Sequence, residues 1–333
     1  MSRVHVCVPT YNYGRFLNQC VQSILRQTGV DACVLVIDDA STDDTAKLGE
    51  RLAAEDSRVE FRRHTVNQGH IATYNEGIEW AGGDYFLLLS ADDMLTDGAL
   101  ARASLLMEAH PEVGFVHGRQ ISFSSEAPCC SPADFDPVSS GARISSCGEF
   151  IESCCRSSIN AISTPTVVVR TALQKKAGGY RKQLPHSGDL EMWLRLAADG
   201  CSVGKLSTAQ AFRRYHSHQM YRTYAPLADV QQREAAFETL LREHQHQLAD
   251  AEALGVMVRA ALADAAFWIA SGAFDVGDVR TCQQGLEYAL ALDPTLNQGR
   301  SWTRLAWKRR LGPRLWRAVR PVVSHLTLSV ATG

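Results

Sequence analysis

YFLLLSADD, residues 85–93, runs from five consecutive apolar or aromatic side chains straight into a pair of adjacent carboxylates, Asp92 and Asp93. An unbroken apolar run of this length is the pattern of a strand buried on both faces, as in a parallel sheet covered by helices. Two neighbouring acids at its end repel each other and lose hydration unless a cation or several donors offset them. Upstream, the β-branched runs VHVCVP (4–9), CVLVID (33–38) and VEFRRH (59–64) alternate with three helically periodic stretches. These are RFLNQCVQSILRQ (15–27), DDTAKLGERLAAE (43–55) and IATYNEGIEWA (71–81). The alternation predicts right-handed βαβ units and an α/β fold, a Rossmann-like, mostly parallel sheet sandwiched by helices.

Downstream, residues 99–110 read as a helix stopped by Pro111, and VGFVHG (113–118) as a strand. A polar, Pro- and Ser-rich stretch from Ser122 to Ser146 reads as one long loop. Strand-like TPTVVVR (164–170) leads into the helix TALQKKA (171–177), and DLEMWLRLAADG (189–200) into strand-like AQAFRRYH (209–216). Beyond Pro226 long helical patterns take over, with one tetratricopeptide-like segment but no repeat. The expected organisation is a catalytic domain over 1–222 and a C-terminal helical extension over 223–333.

Among 333 residues, 45% are apolar and 21% charged, with a formal charge of -2, which excludes a disordered or nucleic-acid-coating chain. Among the ten cysteines, Cys7, Cys20 and Cys33 sit in apolar periodic segments and Cys129-Cys130 and Cys154-Cys155 are adjacent pairs rather than CxxC knuckles, so reduced thiols are expected. The N-terminus reads without a leader and no stretch reads as a membrane span, so the expected location is cytoplasmic.

In an open α/β sheet, ligands gather beyond the carboxyl ends of the strands. Four such ends carry polar groups here: Pro9-Thr10-Tyr11-Asn12, Asp38-Asp39, Asn67-Gln68-Gly69 and Asp92-Asp93. Taken singly, Ser41 to Asp43 read as helix caps, Asn67 to Gly69 as a turn and Tyr11 as a rim aromatic. The paired acids resist such a reading. A divalent ion with oxygen ligands, Mg²⁺ or Mn²⁺, joins one or two carboxylates to substrate phosphates and would resolve their repulsion. Neither a P-loop nor a G-x-G-x-x-G turn is present.

Five segments in order give the chain a resemblance to the family 2 glycosyltransferases of the GT-A fold: VCVPTYN (6–12), VIDDASTDDT (36–45), NQGHIATYNEGIEWAGGDYFLLLSADD (67–93), GDLEMWLRLAADG (188–200) and YHSHQMY (215–221). The resemblance implies an inverting, metal-dependent transferase moving a sugar from a nucleotide diphosphate sugar, with UDP the expected nucleotide, to an acceptor hydroxyl. The implied setting is polysaccharide or glycoconjugate assembly on a saccharide or lipid-linked acceptor. Pro9, Tyr11, Asp39, Asn67 and Asp92 would then contact the donor, with Tyr11 stacked on the base, Asp39 bonded to it and Asp92 at the ribose and diphosphate. Asp93 and His216 would hold Mn²⁺ or Mg²⁺, and Asp189 would be the base, with Glu191 as the fallback carboxylate. Ser90 and Gly188 depart from the pattern, standing where many members carry Asp and Glu. The alternative is a non-catalytic nucleotide-sugar-binding or scaffolding module.

RSWTRLAWKRRLGPRLWRAVR, residues 300–320, interleaves basic side chains with three tryptophans. It reads either as a helix at an anionic membrane surface, peripheral to its inner face, or as a helix packed on those before it. No nucleic-acid partner is expected.

Overall fold

The computed structural model describes residues 1–124, 141–216, 219 and 224–319. Strands β1 (Arg3–Thr10), β2 (Asp31–Asp38), β3 (Val59–Arg63) and β4 (Tyr85–Leu88) lie parallel in the order β3-β2-β1-β4. Helices α1 (Gly14–Leu25), α2 (Thr45–Glu55) and α3 (His70–Trp80) make the crossovers between them. Thr10 stands opposite Asp38, and Cys7 opposite Leu88, so the carboxyl ends of β1, β2 and β4 finish on one rim. Because the chain builds outward from β1 in both directions, the order reverses between β1 and β4. That reversal opens the crevice in which α/β sheets bind ligands.

Along β1 and β2, alternate side chains enter two separate cores, as the two-residue period of a strand requires. Val4, Val6, Val8, Val34 and Val36 face Leu17, Val21 and Ile24 of α1. Cys7, Leu35 and Ile37 face Ile71 and Ile78 of α3. Gly77 permits this second contact, because a Cβ there would fall 2.3 Å from Cys7 Sγ. Burying each such aliphatic side chain contributes roughly 1.5–3 kcal/mol.

The second half of the sheet is mixed. It holds β5 (Met94–Leu95), β6 (Val113–Phe123), β7 (Ala142–Ser145), β8 (Val168–Arg170) and β9 (Ser202–Arg214), with α4 (Ala99–Ala109), α5 (Cys147–Ser157), α6 (Thr171–Ala177) and α7 (Gly188–Ala198) between them. β8 runs antiparallel between β4 and β6, β6 pairs with β9 in parallel, and β5 and β7 lie antiparallel on β9. β7 and the start of α5 bound the stretch read as one loop, whose residues 125–140, with Cys129-Cys130, lie outside the described ones.

Four helices, α8 (Pro226–Glu243), α9 (Ala251–Val276), α10 (Val279–Leu292) and α11 (Arg300–Leu311), form the C-terminal part. Val230, Phe237, Leu262 and Phe267 share one continuous core with Phe115 and Trp193, so this part is fused to the α5/α7 face of the sheet. The 222/223 boundary itself lies outside the described residues. In one respect the sequence reading is corrected: α9 is long and apolar enough to cross a membrane by length and composition. Here it buries Leu262, Ala266, Phe267, Ala270 and Phe274 against protein.

The basic tail packs as the second of its two readings describes: Leu305 and Trp316 are buried, Lys308 Nζ lies 3.0 Å from Asp275 Oδ1, and Trp316 Nε1 donates to the same oxygen at 2.7 Å. Arg304, Trp307, Arg309, Arg310 and Arg314 remain on the exposed side. Cys7, Cys20, Cys33, Cys147, Cys154, Cys155, Cys201 and Cys282 are free thiols.

Candidate active site

The loops after β1 and β2 fasten to each other. The Asn12 N–H donates to Ser41 Oγ at 2.8 Å, and the Thr42 N–H donates to Asn12 Oδ1 at 2.8 Å. Asn12 (φ 58°) and Ala40 (φ 61°) both hold left-handed backbone, a strain that persists only where surroundings enforce it. Ser41 therefore serves this clamp rather than a helix cap, while Asp43 Oδ1 takes the Thr45 N–H at 3.0 Å, at the first residue of α2. Asp38 is fully buried, accepting the Ser41 N–H and lying 3.3 Å from Arg63 Nε, which makes it a structural group.

Asp39 closes the floor. Its Oδ1 accepts the Gln68 N–H and its Oδ2 the Gly69 N–H, each at 2.8 Å, while His64 Nδ1 lies 2.7 Å from Oδ1. Gly69, at φ 84°, turns the chain so that its N–H can point back. Asn67 Oδ1 also accepts the Gly69 N–H, at 3.1 Å. The turn and the site are thus one structure. Pro9, Tyr11, Asp39, Asn67, His70 and Ser90 are among the residues that line a cavity of about 810 Å³ here. Tyr11, 47% exposed, offers its ring to it.

A second cavity of about 510 Å³ adjoins the first and shares Pro9, Tyr13, Tyr74 and Ser90 with it. Asp92 and Asp93 stand on its wall, each only 6% exposed. The Arg214 N–H donates to Asp93 Oδ1 at 3.0 Å and the Arg214 guanidinium to the Asp92 carbonyl at 3.1 Å. Burial and the neighbouring Asp92 push the Asp93 carboxyl well above its ordinary range. His216 Nε2 lies 3.0 Å from Asp92 Oδ2, so of the two acids it is Asp92 that the imidazole faces. Two carboxylates on the wall of the second cavity, with an imidazole against one of them, are oxygen and nitrogen donors of the kind that hold Mg²⁺ or Mn²⁺. Such ions need no protein cage, because substrate phosphates complete their shell. Among the described residues no three His, Cys, Asp or Glu side chains are gathered as a metal cage, so Asp92, Asp93 and His216 would hold such an ion only with substrate phosphates completing its shell.

Asp189, in the first turn of α7, also lines the second cavity. Thr164 Oγ1 donates to its Oδ2 at 2.5 Å, and the Tyr180 hydroxyl also bonds it. Burial pushes this carboxyl above its ordinary range, opposed by those two bonds and by His70 and His186 nearby. A Cβ on Gly188 would lie 3.1 Å from Tyr180 Cδ1, so the Tyr180 ring stands beside the position where many family 2 members carry Glu. Glu191 is committed elsewhere: buried, it accepts from Arg181 at 2.8 Å and from Arg195 at 2.9 Å. α8 contributes Asp229 and Arg233 to the same cavity, with His186 Nε2 2.6 Å from Asp229 Oδ1.

Sequence reasoning missed Arg214, Thr164, Tyr180 and His64. Arg214 had a usable signal, two residues before His216 at the end of a strand, whereas Thr164 and Tyr180 reach Asp189 only through tertiary folding.

Residues 5–135 match the family model described as glycosyl transferase family 2. This part of the chain belongs to that family. The family 2 region is similar to the GalNAc(5)-diNAcBac-PP-undecaprenol beta-1,3-glucosyltransferase of Campylobacter jejuni, at 35% identity over 118 residues, or 35% of this chain. The aligned stretch spans 37% of that relative's length. With its helical extension, the chain shares its fold with TarS 1–349 of S. aureus, solved with UDP-GlcNAc (TM-score 0.67, 16% identity, 97% of this chain and 92% of that one). It also resembles the mannosyltransferase PcManGT of Pyrobaculum calidifontis, solved with GDP-Man and Mn²⁺ (TM-score 0.53, 19% identity, 96% and 87%). The family 2 region thus supplies β1 to β6 and the Asp92-Asp93 pair, while Asp189 and His216 come from the chain beyond it.

Proposed function

We propose that this protein transfers a sugar from a nucleotide diphosphate sugar to an acceptor hydroxyl, with inversion at the anomeric carbon. The observation that carries this is the pair of adjoining cavities, the second of them lined by Asp92, Asp93 and Asp189 together. The base and ribose occupy the first, with Tyr11 stacked on the base and Pro9 and Asn67 beside it. Asp39 has three donors on a carboxylate with about four lone-pair sites. The remaining site can accept one N–H from the base, as the N3–H of uracil would supply, and UDP, which a fold neighbour binds, is the proposed nucleotide. Fold neighbours solved with UDP-GlcNAc and with GDP-Man and Mn²⁺ support this class of donor.

Asp92, Asp93 and His216 would hold a divalent ion, which when bound would offset the negative charge of the departing diphosphate. Asp189 accepts the acceptor proton as its oxygen attacks the anomeric carbon, since a carboxylate is too weak to deprotonate a free alcohol beforehand. Asp189 and the Asp92-Asp93 pair line the same cavity, and an attack led by Asp189 from the face opposite the departing diphosphate would invert the centre in one displacement. Residues 1–222 are the catalytic unit. The helical part from 223 onward completes the acceptor side through Asp229 and Arg233, and the acceptor is a saccharide or lipid-linked saccharide of polysaccharide or glycoconjugate assembly.

Incubation with a panel of nucleotide sugars, Mn²⁺ and candidate acceptors tests this. Release of nucleoside diphosphate from one donor is expected, and nucleotide binding without release would support the scaffolding alternative instead. Tyr11→Ala should weaken UDP binding by roughly 1–3 kcal/mol, the size of one base–aromatic stack. Calorimetry showing unchanged affinity would remove Tyr11 from the base site.

The exposed basic side of residues 300–319 is proposed to touch anionic membrane, where each Lys or Arg contributes roughly 1 kcal/mol at low salt. Arg304→Glu, Arg310→Glu and Arg314→Glu combined should abolish co-sedimentation with phosphatidylserine vesicles while sparing UDP affinity, and salt should do the same to the unaltered protein. Equal co-sedimentation of the triple variant would assign the tail to packing alone.

A further inference from the structure

His64 stands where β3 gives way to the loop over the first cavity, with its side chain only 8% exposed. Its Nδ1 lies 2.7 Å from Asp39 Oδ1 and its Nε2 2.8 Å from Glu76 Oε2. A neutral imidazole carries one N–H and one lone pair, so one of these carboxylates would face a lone pair. Only the imidazolium donates to both.

The groups around it favour that form. Glu76, from α3, also accepts from Arg62 Nη1 at 3.1 Å, and Arg62 Nε donates to Glu60 Oε1 at 2.7 Å. Glu60, Arg62, Glu76, His64 and Asp39 thus form a row of alternating charge that runs from the outer face of β3 and α3 to the floor of the first cavity. The other charged side chains at these strand ends, Arg63 and Asp38, are paired with each other. Burial alone would lower the His64 pKa, but the bonds and charges of Glu76 and Asp39 outweigh it and raise it above the ordinary histidine value.

We propose that His64 is a positioning residue for the donor base: donating from both ring nitrogens, it holds the Asp39 carboxylate as a fixed acceptor turned toward the first cavity. The proposal rests on the assignment of Asp39 to the base given above. Once His64 loses its proton, one of its two carboxylates meets an imidazole lone pair, and the Asp39 carboxylate, then without the imidazolium and its charge, is held less firmly by the Gln68 and Gly69 N–H groups. The sign follows from the raised pKa. Donor affinity is complete while His64 is protonated and falls as pH rises through its titration.

Calorimetric binding of UDP with Mg²⁺ from about pH 7 upward, where the phosphates are fully ionised, tests this together with an NMR titration of the His64 imidazole in the nucleotide-free protein. UDP affinity should fall about tenfold through the His64 midpoint, the loss of one hydrogen bond to a charged group. His64→Gln donates without titrating, so its affinity should be lower at pH 7 and flat across the same interval. Glu76→Gln keeps the imidazole, so it decides the matter even if His64→Gln folds poorly, and it should move both midpoints to lower pH. A flat profile for the unaltered protein, or one that Glu76→Gln leaves in place, overturns the role of His64. No UDP binding at any pH overturns the base assignment itself, and this role with it.

Discussion

Replacing Asp189 by Asn should leave UDP affinity unchanged and lower sugar transfer by roughly 10²- to 10⁴-fold, the contribution of a general base. Asn keeps the shape of the side chain and can still accept from Thr164 and Tyr180, so the first turn of α7 should hold. What disappears is basicity in the second cavity. The acid limb of the pH–rate profile provides an independent check. Asp189 works as a carboxylate, and its pKa is raised by burial, so the rate should fall as pH drops through a midpoint above the ordinary carboxylate range. Asp189→Asn should abolish that limb along with most of the rate. Near-normal transfer by this variant would make Asp189 a helix-start acid, and Glu191, tied to Arg181 and Arg195, could not replace it without breaking both ion pairs.

Asp93→Asn should fail differently, losing rate and donor affinity together and needing more Mn²⁺ to recover either. Loss of a supporting group at a metal site costs roughly 10- to 100-fold in affinity, and loss of a ligand should cost at least that. The Arg214 N–H still finds an amide oxygen in place of the carboxylate, and the guanidinium bond to the Asp92 carbonyl is untouched, so the fold should persist. Removing one of two adjacent buried acids also relieves their repulsion, and the nucleotide-free variant should melt no lower than the parent. An unchanged Mn²⁺ requirement would leave Asp92 and His216 as the groups that hold the ion. A lowered melting temperature would assign Asp93 a structural role instead.

The parallel half of the sheet was legible because its strands run four to eight residues and β1, β2 and β4 are buried over most of their length, which writes apolar runs into the sequence. β5 and β7 were not, since polar-flanked segments of two and four residues carry no period to detect. α5 did leave a sign. Ser146 and Glu149 form a capping box, and this Ser-x-x-Glu pattern stood in the sequence at the end of the stretch read as loop. In the site, residues fixed by their own strand end (Tyr11, Asp39, Asn67, Asp92, Asp93) could be found from spacing. Their partners could not, because Arg214 lies 121 residues from Asp93 and Thr164 lies 25 from Asp189, distances that only the fold closes. His64 was passed over as the end of a strand, since its importance comes from two carboxylates on other elements.

A crystal structure of the protein with UDP and Mn²⁺ tests the central claim most directly. The account predicts the uracil ring against Tyr11 with its N–H on Asp39, and the diphosphate reaching the metal beside Asp92, Asp93 and His216 while Asp189 faces open space for the acceptor. A nucleotide bound outside the first cavity, or a diphosphate directed away from the Asp92-Asp93 pair, would contradict it.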